Sequence, residues 1–149
     1  MEKISKEIIK QVIEIIKDLH KTATGYEPEK NLRSESDLEH IVYEAIKLGQ
    51  KISHGNDRNP NNAEVGTFLM HEITTRHPFF DGNKRTALMT FLYFRYIELS
   101  INLTFEKIDV HFPKSWDNKD DKVVNFMLEL AQRKYTYDEA LKFVRETFK

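Results

Sequence analysis

Apolar residues recur at Ile4, Ile8, Val12, Ile15 and Leu19, with lysines and glutamates between them. This is the spacing of an amphipathic helix, and it predicts a first helix that ends near His20, ahead of Gly25. Residues 22–34, with Gly25 and Pro28, read as a connecting loop. Ser36-Asp37-Leu38-Glu39 has the form of a capping box. It predicts a second helix carrying Leu38, Ile41, Val42, Ala45 and Ile46 and ending near Ile52. Residues 53–62 are the most polar and turn-rich stretch, which predicts a long exposed loop or a hairpin flap. A third helix is predicted from about Ala63 to Arg76, burying Val65, Phe68, Leu69 and Ile73. Pro78 disfavours helical geometry at His77 and stops it there.

A fourth helix is predicted from near Asn83, running through Ala87, Leu88, Phe91, Leu92, Phe94 and Tyr96 with almost no charge beyond its first turn except Arg95. A helix apolar nearly all round belongs at the centre of a fold. The stretch 101–112 fits a short strand or an irregular link, and 113–119 reads as loop. A fifth helix fits Asp121 to Arg133. A second capping box, Thr136-Tyr137-Asp138-Glu139, opens the last helix. The predicted fold class is all-α, a compact bundle around the fourth helix, formed as one domain over residues 1–149.

Composition narrows the function. A chain with 40% hydrophobic and 32% charged residues reads as soluble and globular. The net charge of −1 and the lack of a long basic stretch give no reason to expect direct nucleic-acid binding. No cysteine is present, which excludes disulfides, thiol catalysis and Cys-based zinc sites. The N-terminal residues mix charges of both signs, and no apolar run approaches a membrane span, so the expected location is cytoplasmic with no membrane partner.

The chemistry concentrates in His77-Pro78-Phe79-Phe80-Asp81-Gly82-Asn83-Lys84-Arg85-Thr86, between two predicted helices. Gly82 and Asn83 allow consecutive N–H groups to face one anion. The helix that starts there adds its free N–H groups and partial positive charge. Lys84 and Arg85 oppose the dipole in that first turn, a conflict that a bound polyphosphate removes. Asp81 beside an anion site calls for a cation, and magnesium commonly takes one or two carboxylates plus substrate phosphates. His77, near an unperturbed pKa of about 6.5, can accept a proton from a hydroxyl. Singly, each residue reads as a helix stop, a turn former or a solvated pair. Together they describe transfer of a phosphorus-containing group to an alcohol.

This string resembles the signature of the Fic/Doc family, His-x-Phe-x-Asp/Asn/Glu-Gly/Ala-Asn-Gly/Lys-Arg. The resemblance implies an all-α core with the signature between two central helices, and a flap matching residues 53–62. It implies His77 as catalytic base, Asp81 as magnesium ligand, Gly82 and Asn83 as part of an anion nest, Arg85 as a phosphate ligand and Phe79 as a buried anchor. ATP is the implied co-substrate and a protein the implied acceptor. AMP-transferring members usually have Gly in place of Lys84 and often a second Arg in place of Leu88. At both points the chain is similar to the Doc branch, which implies phosphate transfer, a translation factor as target and a separate antitoxin. Lys84 is then a nucleotide-binding residue whose bulk and charge change which phosphate can reach the nucleophile. No Glu has Ser or Thr four residues before it, so the self-inhibiting Ser/Thr-x-x-x-Glu motif of many Fic proteins is absent from the sequence.

Three other readings fit less of the chain. A helical zinc site of the form His-Glu-x-x-His would need His where Thr75 follows His71-Glu72. A non-catalytic nucleotide-binding module would not need both a base and a metal ligand. A helix-turn-helix DNA binder needs an exposed basic recognition helix, which the apolar fourth helix is not.

Overall fold

The computed structural model describes residues 4–56, 62–99 and 112–148. They form seven helices: α1 Lys6–Thr24, α2 Pro28–Asn31, α3 Glu35–Asn56, α4 Asn62–Arg76, α5 Asn83–Leu99, α6 Lys122–Ala131 and α7 Tyr137–Thr147. Among the described residues there is no strand, only an isolated antiparallel bridge between Leu32 and Phe79. The fold is all-α, as predicted.

Local chemistry sets most boundaries. The Ser5 hydroxyl accepts from the N–H groups of Glu7 and Ile8 and starts α1. Gly25, at φ 76°, ends it in the left-handed geometry that glycine adopts at no steric cost. Helix α1 therefore runs one turn past the predicted stop at His20. Asp121 caps α6, and Thr136 with Glu139 forms the predicted capping box of α7.

Three expectations are corrected. The start of α3 is capped by Ser34, whose hydroxyl accepts from Asp37 N–H at 3.1 Å, and not by Ser36. Both serines precede an acidic residue by three positions, so the pattern alone does not choose between them. The predicted loop 22–34 contains α2, with Pro28 in its first turn. The predicted polar flap over 53–62 is helical through Asn56 and again from Asn62, and residues 57–61 lie outside the described residues. The ambiguous stretch 101–112 also lies outside them except for Phe112.

Helix α5 is the hub. It packs most extensively on α4 and next on α1, while α3 covers the other side of α4. Ala87, Leu88, Met89, Phe91 and Leu92 are all buried, in one cluster that extends from Ile13 of α1 to Val144 of α7 and Phe148. Of the buried threonines, Thr67, Thr75 and Thr90 each donate to the carbonyl four residues back, whereas the hydroxyls of Thr74 and Thr86 have no hydrogen-bond partner among the described residues. The ammonium of Lys17, buried on α1, meets Glu29 of α2 at 2.9 Å. That pair ties the short helix to α1 and fixes the chain just after it, which lies against the signature loop. No helix among the described residues is long and apolar enough to cross a membrane.

Candidate active site

Residues 77–82 join the C-terminal end of α4 to the N-terminal end of α5, and residues outside the loop hold them. Phe79 is the inward anchor, 1% exposed. Its backbone N–H donates to Asn83 Oδ1 at 3.0 Å, and its carbonyl accepts from Asn83 Nδ2 at 2.8 Å. Asn83 is thus a staple across the loop, and what it can offer a ligand is its backbone N–H. Asn31, at the end of α2, takes the next two N–H groups: its carbonyl accepts from Phe80 at 2.7 Å and its side-chain oxygen from Asp81 at 3.0 Å. With backbone pinned on both sides of it, the Phe80 ring is directed outward and is 68% exposed.

The floor of the loop comes from α1. The buried ring of His20 stacks on Phe79 with centroids 4.1 Å apart and meets the Asp81 carbonyl through Nε2 at 3.1 Å. A carbonyl can only accept, so Nε2 carries the proton. Nδ1 is buried without a hydrogen-bond partner. Gly82 sits at φ 77°, and a Cβ there would collide with Thr24 Cγ2. Two independent constraints, backbone angle and space, require glycine at this position.

His77 occupies the other end of the loop, exposed, at φ 52°. A left-handed backbone at a non-glycine residue costs on the order of 1–3 kcal/mol and persists only where its surroundings impose it. Arg33 supplies that constraint. Its Nε donates to the His77 carbonyl at 2.6 Å and its Nη2 to the Arg76 carbonyl at 2.9 Å. The backbone N–H groups of Arg33 and Ser34 both donate to the Pro78 carbonyl, at 2.8 and 3.0 Å. Partial burial, followed by the positive charges of Lys84, Arg33 and Arg133, holds the His77 imidazole below the usual histidine range. A neutral ring at physiological pH is the form that accepts a proton.

The α5 end has the opposite character. The first backbone bond into α5 runs from Thr86 N–H to Gly82 O at 2.9 Å, which leaves the N–H groups of Asn83, Lys84 and Arg85 without helical acceptors. They border a cleft of about 260 Å³ lined by Thr24, Tyr26, Asp81, Gly82, Asn83, Lys84, Arg85 and Trp116. The carboxylate of Asp81 accepts from Gly82 N–H at 2.7 Å, so an anionic group already sits on the N–H just before these three. The Arg85 guanidinium lies 6.0 Å from the centre of the Trp116 ring. A larger depression of about 670 Å³ lies between α1 and α3, but none of the loop residues line it. The smaller cleft is the one with convergent N–H donors, cations and a carboxylate, so it is the better candidate for a phosphate-bearing ligand.

The structure therefore brings Asp81, Gly82, Asn83, Lys84 and Arg85 to one cleft, while His77 stands at the far end of the same loop and is not on the cleft wall. Sequence reasoning missed Arg33, Asn31, His20, Tyr26 and Trp116. None has a local signal, because each reaches the loop from a distant part of the chain. His71 is a structural residue. Its Nδ1 meets Glu72 Oε2 at 2.9 Å and its Nε2 meets the Tyr135 carbonyl at 3.0 Å. Both partners accept, which favours the imidazolium; the bond to Glu72 raises the His71 pKa and lowers that of Glu72. Among the described residues no group of three or more His, Cys, Asp or Glu side chains could hold a metal.

No curated protein and no solved structure matches the chain. A family profile described as the Fic/DOC family matches residues 6–95. The matched span holds α1 to α4, the loop from His77 to Gly82 and α5 through Arg95, well over half of the sequence. The chain belongs to the Fic/DOC family, and with it to a class of nucleotide-dependent transferases.

Proposed function

We propose that the protein transfers the terminal phosphate of magnesium-bound ATP to a hydroxyl side chain of a target protein. His77 accepts the hydroxyl proton as the new oxygen–phosphorus bond forms, and the bond from the terminal phosphorus to ADP breaks. The N–H groups of Asn83, Lys84 and Arg85, with the Arg85 guanidinium, hold phosphate oxygens. Asp81 would hold magnesium: one exposed carboxylate at the rim of a phosphate site suits an ion that takes most of its remaining ligands from phosphates and water. When bound, the ion would neutralise phosphate charge. Residues of this chain do the rest: they orient the phosphates, keep the base neutral and hold the loop rigid.

The observation that favours phosphate over AMP is the pair Lys84 and Leu88. Lys84 lines the cleft, and its charge depresses the His77 pKa. It is a cation of the cleft whose charge also acts on the base. Leu88 is fully buried in the core, so the first two turns of α5 present only Lys84 and Arg85 as side-chain cations. By resemblance to the Doc branch, the target is a translation factor and a separate antitoxin restrains the protein. Incubation of the protein and a cell lysate with ATP labelled at either the α or the γ phosphate tests the reading. Transfer of γ-label alone is expected; transfer of α-label would establish AMP transfer instead.

A further inference from the structure

We propose that Arg33 is a positioning residue for His77, its forked guanidinium fixing the left-handed backbone that aims the imidazole at the acceptor hydroxyl. The proposal rests on the reading of His77 as the base. It starts from the strain at His77, whose φ of 52° is unusual for a residue with a Cβ. His77 follows the last residue of α4, its N–H on the Ile73 carbonyl at 3.2 Å, and a change to negative φ would swing its side chain away. Arg33 restrains it through three successive carbonyls. Nε takes the His77 carbonyl at 2.6 Å, Nη2 takes the Arg76 carbonyl at 2.9 Å, and the Arg33 backbone holds the Pro78 carbonyl at 2.8 Å.

The fork is itself oriented. Asp37 accepts from Arg33 Nη2 at 3.1 Å through one carboxylate oxygen and from Arg76 Nη2 at 3.2 Å through the other. The chain of contacts runs from Asp37 to Arg33 to the His77 backbone, all anchored on α3 and α4. A planar guanidinium meets two successive carbonyls and a carboxylate in one fixed fork; an ammonium on a flexible stem does not impose that geometry. The charged groups that act on the imidazole are Lys84 from α5, Arg133 from the link between α6 and α7, and Arg33 itself, and all are cations. Arg133 also donates to the Thr75 carbonyl at 3.2 Å, so arginines from two distant links cap the last turn of α4. Arg33 contributes both geometry and charge, and the two contributions can be separated.

The test compares Arg33→Gln and Arg33→Lys with wild type in two assays. One is turnover of γ-phosphate transfer across pH; the other is NMR titration of the His77 imidazole, identified by its loss in His77→Gln. Arg33→Gln should lower kcat by roughly 10–100-fold, the scale of a misplaced catalytic group, with the nucleotide KM unchanged. Because a cation is removed, its His77 titration midpoint should move up, and the acid limb of the rate profile should move up with it. Arg33→Lys keeps the charge and loses the fork. Its midpoint should stay near that of wild type while kcat still falls. Wild-type kcat in both variants, or a fall in Arg33→Gln with the midpoint unmoved, overturns the proposal. If Arg33→Gln does not fold by circular dichroism, Arg33→Lys decides: wild-type kcat, or a changed nucleotide KM, overturns it. The titration needs no catalysis. A wild-type protein that transfers nothing, with the midpoint still shifting in Arg33→Gln, removes the functional reading and leaves only the charge contribution of Arg33 standing.

Discussion

The two ends of the signature loop are built from opposite ends of two helices. At the His77 end, the carbonyls of the last turn of α4 point outward, and arginines from other parts of the chain cap them. At the Asp81–Arg85 end, N–H groups of the first turn of α5 point outward, and the acceptor described beside them is the Asp81 carboxylate on Gly82. One end is closed by protein cations; the other is open to an exogenous anion. A base needs a fixed backbone and a neutral ring, whereas a phosphate site needs unfilled donors. On the proposed function, the loop serves both needs by facing a helix terminus of each polarity.

The sharpest way to separate the ends is to remove one function from each. His77→Ala should reduce transfer by about 10²–10⁴-fold, the usual worth of a general base, while calorimetry finds nucleotide affinity near that of wild type. Arg85→Ala should do the reverse and weaken nucleotide binding first. Loss of binding in His77→Ala would mean that the ends are not separable. The next effect is on the hinge between them. Gly82→Ala forces a Cβ into positive φ and into Thr24, and should lower unfolding free energy by about 1–3 kcal/mol. Thr24→Ser, which removes Cγ2, should recover part of that loss in denaturant melts. An unchanged midpoint in Gly82→Ala would show that the loop relaxes freely.

The smallest effect lies beside the His77 end. His71 is raised and Glu72 lowered in the folded state, chiefly by their mutual hydrogen bond. The His71 contribution is present below the unfolded histidine pKa and is lost as pH rises through the raised folded value. The Glu72 contribution is present above the unfolded carboxylate pKa and is lost as pH falls through the lowered folded value. The pair should therefore stabilise most between those limits. Melting temperatures of wild type and His71→Gln should differ in that window and converge as the solution becomes alkaline. A constant difference across pH would assign His71 a packing role only.

Helices were legible because their apolar spacing is local. The stop of α4 before Pro78 and the capping box of α7 were read at their true places for the same reason. The cap of α3 was misplaced at Ser36 because Ser34, the residue that caps it, has the same form, an acidic residue three positions on. The chemistry-bearing segment was legible as a contiguous string, but its supports were not. Asn31 and Arg33 reach it from about fifty positions upstream, His20 from still further, and Trp116 from downstream of α5. Asn83 was visible as part of an anion site, whereas its stapling of Phe79 depends on a side-chain direction that spacing does not encode.

Trp116 is the one tryptophan in the sequence, and it lines the cleft beside Arg85. The chain thus contains a built-in optical reporter at its candidate phosphate site. Indole emission, excited selectively over the tyrosines, should change as a ligand draws the Arg85 guanidinium away from the ring or excludes water from it. Occupancy can then be followed in real time on unlabelled protein, before any target is identified.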